Sequence, residues 1–224
     1  MKVLNFLVQS NDILNVRNNL IKVTPANNET LPEMFPGQFV QILVDNSPNV
    51  FLRRPISINF IDKKKNEIWL WIQRVGEGTR KICELNPGEV INLMFPLGNS
   101  FTIPNHKGNY LLIGGGVGTA PMLFLGKRIN EFGIEPDFLL GGRSATDILQ
   151  QEEFERYGNL FLTTEDGTVG QKGYVTDHTI LKEKNYDYIF TCGPKPMMVS
   201  VAEYAKSNVI ECVVCRENLT ACRS

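Results

Sequence analysis

The sequence predicts two domains of different class: an N-terminal antiparallel β-barrel, then an α/β domain built on a parallel sheet. Three observations carry this expectation. In the first half, short runs of β-branched and aromatic residues are punctuated by Pro-Gly turns. Around Pro104-Asn105-His106-Lys107-Gly108 the pattern changes, and apolar runs then alternate with helical stretches. The length of 224 residues suits two cores of ~100 residues each.

Taken in order, the chain opens on a strand at Met1-Lys2-Val3-Leu4-Asn5-Phe6. Further strands are expected at residues 38–44, where apolar and polar residues alternate before the run turns apolar, and at 67–72 and 89–95. Pro36-Gly37, Pro87-Gly88 and Pro96-Leu97-Gly98 separate them, and Lys63-Lys64-Lys65 reads as a solvated hairpin turn. One short helix is expected at 79–85. Strands at this spacing suggest a small antiparallel barrel. In the second half, apolar runs at 110–113, 138–140, 160–162, 188–190 and 209–214 alternate with expected helices at 120–130, 151–157, 174–181 and 195–206. That alternation implies a parallel sheet covered on both faces. The expected domains are 1–103 and 108–211, with 212–224 as the start of something further.

Bulk properties exclude some classes of partner. Net charge is −1 and there is no long basic run, so neither nucleic acid nor an anionic membrane is an expected partner. No window reaches the ~18–20 apolar residues of a membrane span, and the N-terminus lacks the features of a cleaved signal, so a cytoplasmic protein is expected. Five cysteines, three of them within residues 212–222, do not resemble a secreted disulfide framework and point instead to metal or redox chemistry.

Each half carries a pattern suited to phosphate. In the first, Arg54-Pro55-Ile56-Ser57 sits on a strand. An arginine at such an edge can grip a diphosphate with two prongs. Ser57, two residues past Pro55, can hydrogen-bond a flavin ring. Val75-Gly76-Glu77-Gly78-Thr79 follows, with backbone N–H groups at a helix start. In the second half, Gly114-Gly115-Gly116-Val117-Gly118-Thr119-Ala120-Pro121 joins an apolar strand to a helix, the setting of a nucleotide-binding turn. It departs from the Gly-x-Gly-x-x-Gly fingerprint: Thr119 takes the third position. The next strand ends in Leu140-Gly141-Gly142-Arg143-Ser144 and not in a ribose-binding acid, so an ordinary Rossmann dehydrogenase is disfavoured. Arg143-Ser144 is compatible with a 2′-phosphate, which leaves NADP open. Cys192-Gly193-Pro194 follows a strand whose carboxyl end should face the ligand crevice, and Cys192 and Ser57 are the candidates for tuning the reacting rings. Thr164-Glu165-Asp166-Gly167 reads equally as crevice lining or as a polar turn.

Together these residues resemble the ferredoxin-reductase superfamily and, within it, the electron-transfer subunits of dihydroorotate dehydrogenase B. Leu52-Arg53-Arg54-Pro55-Ile56-Ser57-Ile58, Phe95-Pro96-Leu97-Gly98-Asn99-Ser100-Phe101, the glycine turn through Met122, Thr164-Glu165-Asp166-Gly167, Lys172-Gly173-Tyr174-Val175-Thr176 and the stretch from Cys192 to Met198 carry the likeness. The resemblance implies FAD on the barrel, held by Arg54, Pro55, Ile56 and Ser57 with Trp71, Ile72, Gln73, Gly78 and Thr79. It implies NAD on the α/β domain, at Gly114, Gly115, Gly116, Gly118, Thr119, Arg143, Cys192 and Gly193. It further implies an FMN-containing catalytic partner subunit in a heterotetramer serving pyrimidine biosynthesis, with electrons passing from that partner through a [2Fe–2S] cluster and FAD to NAD+. Plant-type cluster ligands follow Cys-x4-Cys-x2-Cys spacing with a fourth cysteine further on. Glu217-Asn218-Leu219-Thr220-Ala221-Cys222 resembles the lead-in, which makes Cys222 the first ligand of an apparently truncated cluster domain. Cys212 and Cys215 are not expected to substitute, since strand alternation turns them to opposite faces. Another reductase of the same superfamily, or a flavin-binding scaffold without a cluster, are the alternative readings.

Overall fold

The computed structural model describes residues 1–45, 47, 49–104 and 107–215. The chain forms two compact units: Met1–Pro104 with Ala120–Arg128, and Asn105–Thr119 with Ile129–Ser224.

The first unit is a closed six-stranded antiparallel barrel. Its strands are β1 (Lys2–Asn15), β2 (Asn18–Pro25), β3 (Phe39–Ile42), β4 (Arg54–Asp62), β5 (Glu67–Gln73) and β6 (Val90–Leu97), with helix α1 (Glu77–Ile82) between the last two. The order around the barrel is β1-β2-β5-β4-β3-β6. β1 closes it by pairing with β6 from Lys2 to Leu7 and with β2 from Phe6 onward. Inward positions at period two fill the core: Phe6 and Val8, Ile21 and Val23, Ile68, Leu70 and Ile72, Ile91, Leu93 and Phe95. Asp62 Oδ1 accepts the N–H groups of Lys64 and Lys65, so the lysine run is the β4–β5 turn that the sequence predicts. Helix α1 lies slightly ahead of the expected 79–85. It stops because the Asn11 amide binds the carbonyls of Cys83 and Leu85 at 3.0 and 2.7 Å.

The second unit carries β7 (Tyr110–Gly115), β8 (Asp137–Gly142), β9 (Asn159–Thr164), β10 (Gln171–Lys172), β11 (Tyr188–Cys192) and β12 (Glu211–Val214) in the order β10-β9-β8-β7-β11-β12. Every pairing is parallel. A 3-10 turn (Gly116–Thr119) leads from β7 into α2 (Ala120–Asn130); α3 (Gln151–Glu155), α4 (Ile180–Glu183) and α5 (Lys195–Ser207) follow. Leu111, Ile113, Leu139 and Ile189 form one core with Val201 and Ala205 of α5. On the other face Phe154 of α3 meets Phe138 edge-on. Buried Asp137, at the amino end of β8, accepts Lys184 Nζ and Tyr186 OH, both at 2.7 Å, and Asn159 Nδ2 at 3.1 Å. Burial, then that bond to Asp137, raises the Tyr186 phenol well above its ordinary value.

Three features depart from expectation. Residues 174–181 do not form one helix: a 3-10 turn (Val175–Asp177) precedes α4. The Asp177 carboxylate accepts Tyr174 N–H, His178 Nδ1 accepts Ile180 N–H, and the Gln171 side chain binds both Asp177 O and Thr179 N–H. Local side chains thus take the groups a continuous helix needs. Second, α2 lies at the expected 120–130, yet Ala120–Arg128 cluster with the barrel and not with the strands that flank them in sequence. Phe124 joins the barrel core, Asn59 Nδ2 donates to Ala120 O at 2.9 Å, and Lys127 Nζ donates to Ile61 O at 3.0 Å. Third, β12 lies within the expected run 209–214, so the parallel sheet itself crosses the boundary drawn at 211.

Candidate functional site

In the barrel unit, the chain leaves β5 and turns through Val75 and Gly76 into α1. Thr79 builds this turn. Its hydroxyl oxygen accepts the N–H groups of Val75 and Gly76, both at 3.1 Å, and lies 3.1 Å from Gly76 O, to which it donates. These two amides, expected as phosphate donors, are therefore occupied by the protein itself. The first bond within the helix runs from Arg80 N–H to Gly76 O, so the amides of Glu77, Gly78 and Thr79 have no acceptor inside the helix. Ser47 Oγ donates to Glu77 Oε1 at 2.7 Å and ties the β3–β4 loop to the same turn.

Arg54 opens β4. Its Nε and Nη2 donate to Leu52 O at 3.1 and 2.9 Å. A Cβ on Gly78 would lie 3.1 Å from Arg54 Cδ and 3.2 Å from Nε, so the arginine stem lies across Gly78. The two first-half motifs thus meet at a cradle that any side chain at 78 would crowd. Neighbouring Arg53 serves the fold instead: it donates to Gln41 O, Asn92 O and Asn92 Oδ1. Ser57 is half-buried on β4 opposite Phe39, Pro55 is exposed, and Ile56 packs partly against the core. Two expected flavin contacts are not available as side chains. Ile72 is fully buried in the barrel core, and Trp71 is 3% exposed with its indole N–H donated to Asn18 Oδ1 at 3.0 Å. Only Gln73 of that strand segment is half-exposed.

In the α/β unit the topology selects the site. Strands β7 to β10 run outward in one direction, while β11 and β12 lie on the other side of β7. The carboxyl ends of β7 and β11 therefore form the switch point at which parallel sheets bind ligands. Gly114 and Cys192 stand in register there, with Leu140 in register on the β8 side. The sequence-predicted residues gather at this edge, and their glycines have separable reasons. A Cβ on Gly118 would fall 2.4 Å from Gly193 Cα, and one on Gly115 would fall 2.5 Å from Met197 Sδ. One on Gly114 would fall 2.9 Å from Thr119 Cα. Gly193, at φ +155, packs on Met197 Cε and Gly115 O. Gly118 and Gly114 let main chain meet main chain, while Gly115 and Gly193 make room for the Met197 side chain. Gly116 differs: it is exposed, takes the left-handed φ of +56, and a Cβ there would meet no protein atom within 4 Å. Of these glycines it is the one that borders open space. Met197, quoted from the sequence only within a longer motif, fixes the turn; its position at the start of a helix just after a Gly-Pro turn is the signal that finds it.

Arg143 is exposed at the end of β8, and its N–H donates to Asp147 Oδ2 at 3.2 Å. Glu165 and Asp166 form a polar turn. Thr168 donates its hydroxyl to Asp166 Oδ1 at 2.7 Å and its amide to the same oxygen at 3.0 Å, which holds that exposed carboxyl below its ordinary value. The Thr168 hydroxyl also accepts Ala145 N–H at 2.8 Å, linking the β8 and β9 loops. Cys192 is buried at 1% exposure. Among the described residues no group of three or more His, Cys, Asp or Glu side chains could hold a metal ion, and Cys222 lies outside them. Also among the described residues, no helix is long and apolar enough to cross a membrane.

Comparison with known proteins places these features. The family model described as "Oxidoreductase NAD-binding domain" matches residues 112–203. The chain is 39% identical over 176 residues to the dihydroorotate dehydrogenase B (NAD(+)) electron transfer subunit of Listeria monocytogenes serotype 4b, covering 77% of this chain and 68% of that protein. The subunit of the same name from Lysinibacillus sphaericus is 35% identical over 185 residues, covering 82% and 72%. With that from Shouchella clausii, at 36% over 165 residues, the match spans 73% of this chain and 64% of the relative, so the chain corresponds to roughly two thirds of these proteins' length. Among solved structures, an NADH-dependent reduced ferredoxin-NADP oxidoreductase superposes with a TM-score of 0.82 at 27% identity, over 96% of this chain and 76% of the other. The FAD/NAD-binding domain of Vibrio cholerae nitric oxide dioxygenase shares the fold at TM-score 0.80 and 18% identity, over 94% and 97%.

Proposed function

The chain belongs to the family of dihydroorotate dehydrogenase B (NAD(+)) electron transfer subunits, and from this we propose that it passes electrons between a partner dehydrogenase subunit and NAD+ by way of a bound FAD. The observation that carries the reading is the convergence of Gly116, Gly118, Cys192 and Gly193 at the switch point of the parallel sheet, on the same chain as a barrel whose Arg54 lies across Gly78.

The residues suit both groups. Arg54 supplies a cation to the FAD diphosphate. The amides of Gly78 and its neighbours supply donors, while Thr79 keeps that loop in shape from within. Ser57 offers a hydroxyl from a rigid strand to the flavin ring. Gly116 lets the NAD diphosphate approach the backbone, and Cys192 heads the strand end against which that turn is closed. When bound, the two cofactors supply the hydride and electron transfer; the protein binds and orients them. No strong acid or base from this chain is required. An iron–sulfur route expected from the resemblance would need donors beyond the described residues, and no step is assigned to it. In this reading the partner is an FMN-containing subunit that oxidises dihydroorotate.

The test is anaerobic. NADH is titrated into the purified chain while the visible flavin absorbance is followed. Stoichiometric bleaching supports the reading. A chain that retains flavin but is not reduced by NADH leaves only a flavin-binding scaffold. A strong preference for NADPH moves the assignment to another reductase of the superfamily. Reduction of the flavin by dihydroorotate in the presence of the catalytic partner tests the remainder.

A further inference from the structure

Cys192 and Cys215 reach neighbouring places at the ends of adjacent strands. β11 and β12 run parallel in the register Tyr188↔Glu211, Ile189↔Cys212, Phe190↔Val213 and Thr191↔Val214. The last bond of the ladder, Cys215 N–H to Thr191 O at 2.8 Å, closes the Thr191–Val214 step, and continuing that register by one residue sets Cys215 beside Cys192. Alternation gives the faces. Tyr188 and Phe190 stack with Tyr110 on one face, and Cys192 continues their period. Ile189 and Cys212 pack into the core on the other. Cys215, an odd number of residues beyond Cys212, turns back to the side of Cys192.

Strands in a sheet lie ~4.8 Å apart, within the ~4.4–6.8 Å Cα separation that a disulfide spans. Cβ atoms in parallel register keep about that same spacing, so reaching the ~3.8 Å usual for a disulfide requires the two ends to approach by about 1 Å. Cys215 has the freedom to do so, because it stands just past the end of β12 at Val214. Cys192 is buried and Cys215 half-buried, which sets the order of attack, and both are in the thiol form.

We infer that Cys192 and Cys215 are a redox-active dithiol pair that a hydroperoxide converts to a disulfide. The Cys215 thiolate attacks the peroxide; the O–O bond breaks, hydroxide leaves and a sulfenic acid forms. The Cys192 sulfur then attacks the Cys215 sulfur; the S–O bond breaks and water leaves. Two thiols lose two electrons and two protons, and one hydrogen peroxide becomes two waters. A small disulfide reaches the same product by exchange, releasing two thiols. Because Cys192 precedes Gly193, on which Gly118 rests, the bond draws the thiol away from the nucleotide edge and strains that turn. This second consequence rests on the reductase reading above; the bond itself does not.

The chain in its native state is treated with hydrogen peroxide, its remaining thiols are alkylated, and it is digested and analysed by mass spectrometry without reduction. Cys212 shares a tryptic peptide with Cys215, so the experiment uses Cys212→Ser alongside the unaltered chain. The expected product joins the Cys192 and Cys215 peptides, is two hydrogens lighter than their sum, separates on adding dithiothreitol and is absent from Cys215→Ser. Over-oxidised Cys215 with Cys192 still alkylated, or a Cys192 bridge formed equally well in Cys215→Ser, overturns the pair. In a parallel assay, oxidation should abolish most of the NADH-driven flavin reduction, reversibly with dithiothreitol, and should spare Cys215→Ser. Full activity in a chain shown to carry the bridge overturns the effect on the nucleotide edge. A chain that NADH never reduces, bridged or not, counts against the reductase reading alone.

Discussion

After β7 the turn is closed by close packing at glycine: Gly118 rests on the Gly193 main chain, and Gly115 leaves space filled by the Met197 side chain. After β5 the turn is closed by one side chain, the Thr79 hydroxyl, which holds the amides of Val75 and Gly76. Both turns are rich in glycine and both suit phosphate, yet glycine does different work in each. In the α/β unit it is demanded by the protein's own packing. In the barrel unit a Cβ added at Gly76 would meet no protein atom within 4 Å, and one at Gly78 only the flexible stem of Arg54. A glycine motif therefore does not by itself mark a ligand contact; Gly116 stands apart from its neighbours only in that no packing of the protein's own accounts for it.

The strongest test of this contrast is Gly118→Ala. A Cβ 2.4 Å from a backbone atom cannot be relieved by a rotamer. The expected cost is about 3 kcal/mol in urea unfolding, at the upper end for overpacking, with loss of NADH-driven reduction. Next comes Thr79→Val, which keeps the shape and removes the hydroxyl. A loss of ~1–2 kcal/mol, the scale of a strong cap, is expected, together with weaker flavin retention on dialysis. Gly78→Ala should cost under about 1 kcal/mol of stability, because the Arg54 stem can shift. Its larger effect should be on FAD affinity, measured by flavin fluorescence; unchanged affinity would remove Arg54 and Gly78 from the site. A pH test separates the units in another way. Burial holds His178 below its ordinary 6.5. A histidine depressed in the folded state contributes stability that is whole above the unfolded value and is lost as pH falls through the folded one. Measured against the intrinsic exchange rate at each pH, amide protection in the α/β unit should therefore fall on mild acidification, and His178→Asn should flatten the response. The barrel unit contains no histidine and should lack this component. The smallest effect is expected for Gly76→Ala, within about 0.5 kcal/mol in the same unfolding assay; a large loss there would erase the contrast.

Much of this was legible from residue order. The α/β unit announced itself because each buried parallel strand is a continuous apolar run, as in Tyr110-Leu111-Leu112-Ile113, and each is followed by a helix. The barrel was less plain. Lys2–Asn15 is a single 14-residue strand, but only Met1–Phe6 suggested one, since Gln9, Ser10, Asn11 and Asp12 are polar and find their partners on β2 only in the fold. The same Asn11 ends α1 by binding carbonyls 72 and 74 residues away, which no local pattern encodes. Residues 174–181 have helical composition but lose their backbone groups to Gln171, Asp177 and His178. At the site, residue types were readable, whereas the division of labour between Arg53 and Arg54, or among four adjacent glycines, depends on what each touches. Trp71 and Ile72 looked like ligand contacts by position, and their side chains turn out to be buried in the protein.

The barrel's use of α2 bears on synthesis. Phe124 completes the barrel core, so the first unit is discontinuous in sequence: it needs residues 1–104 and then 120–128. As domains fold in units while the chain emerges, the ribosome must deliver β7 and the whole glycine turn before the barrel can seal. A nascent chain halted at residue 104 will hold six strands around an incomplete core and will remain open to proteases. One extended through Arg128 will resist them.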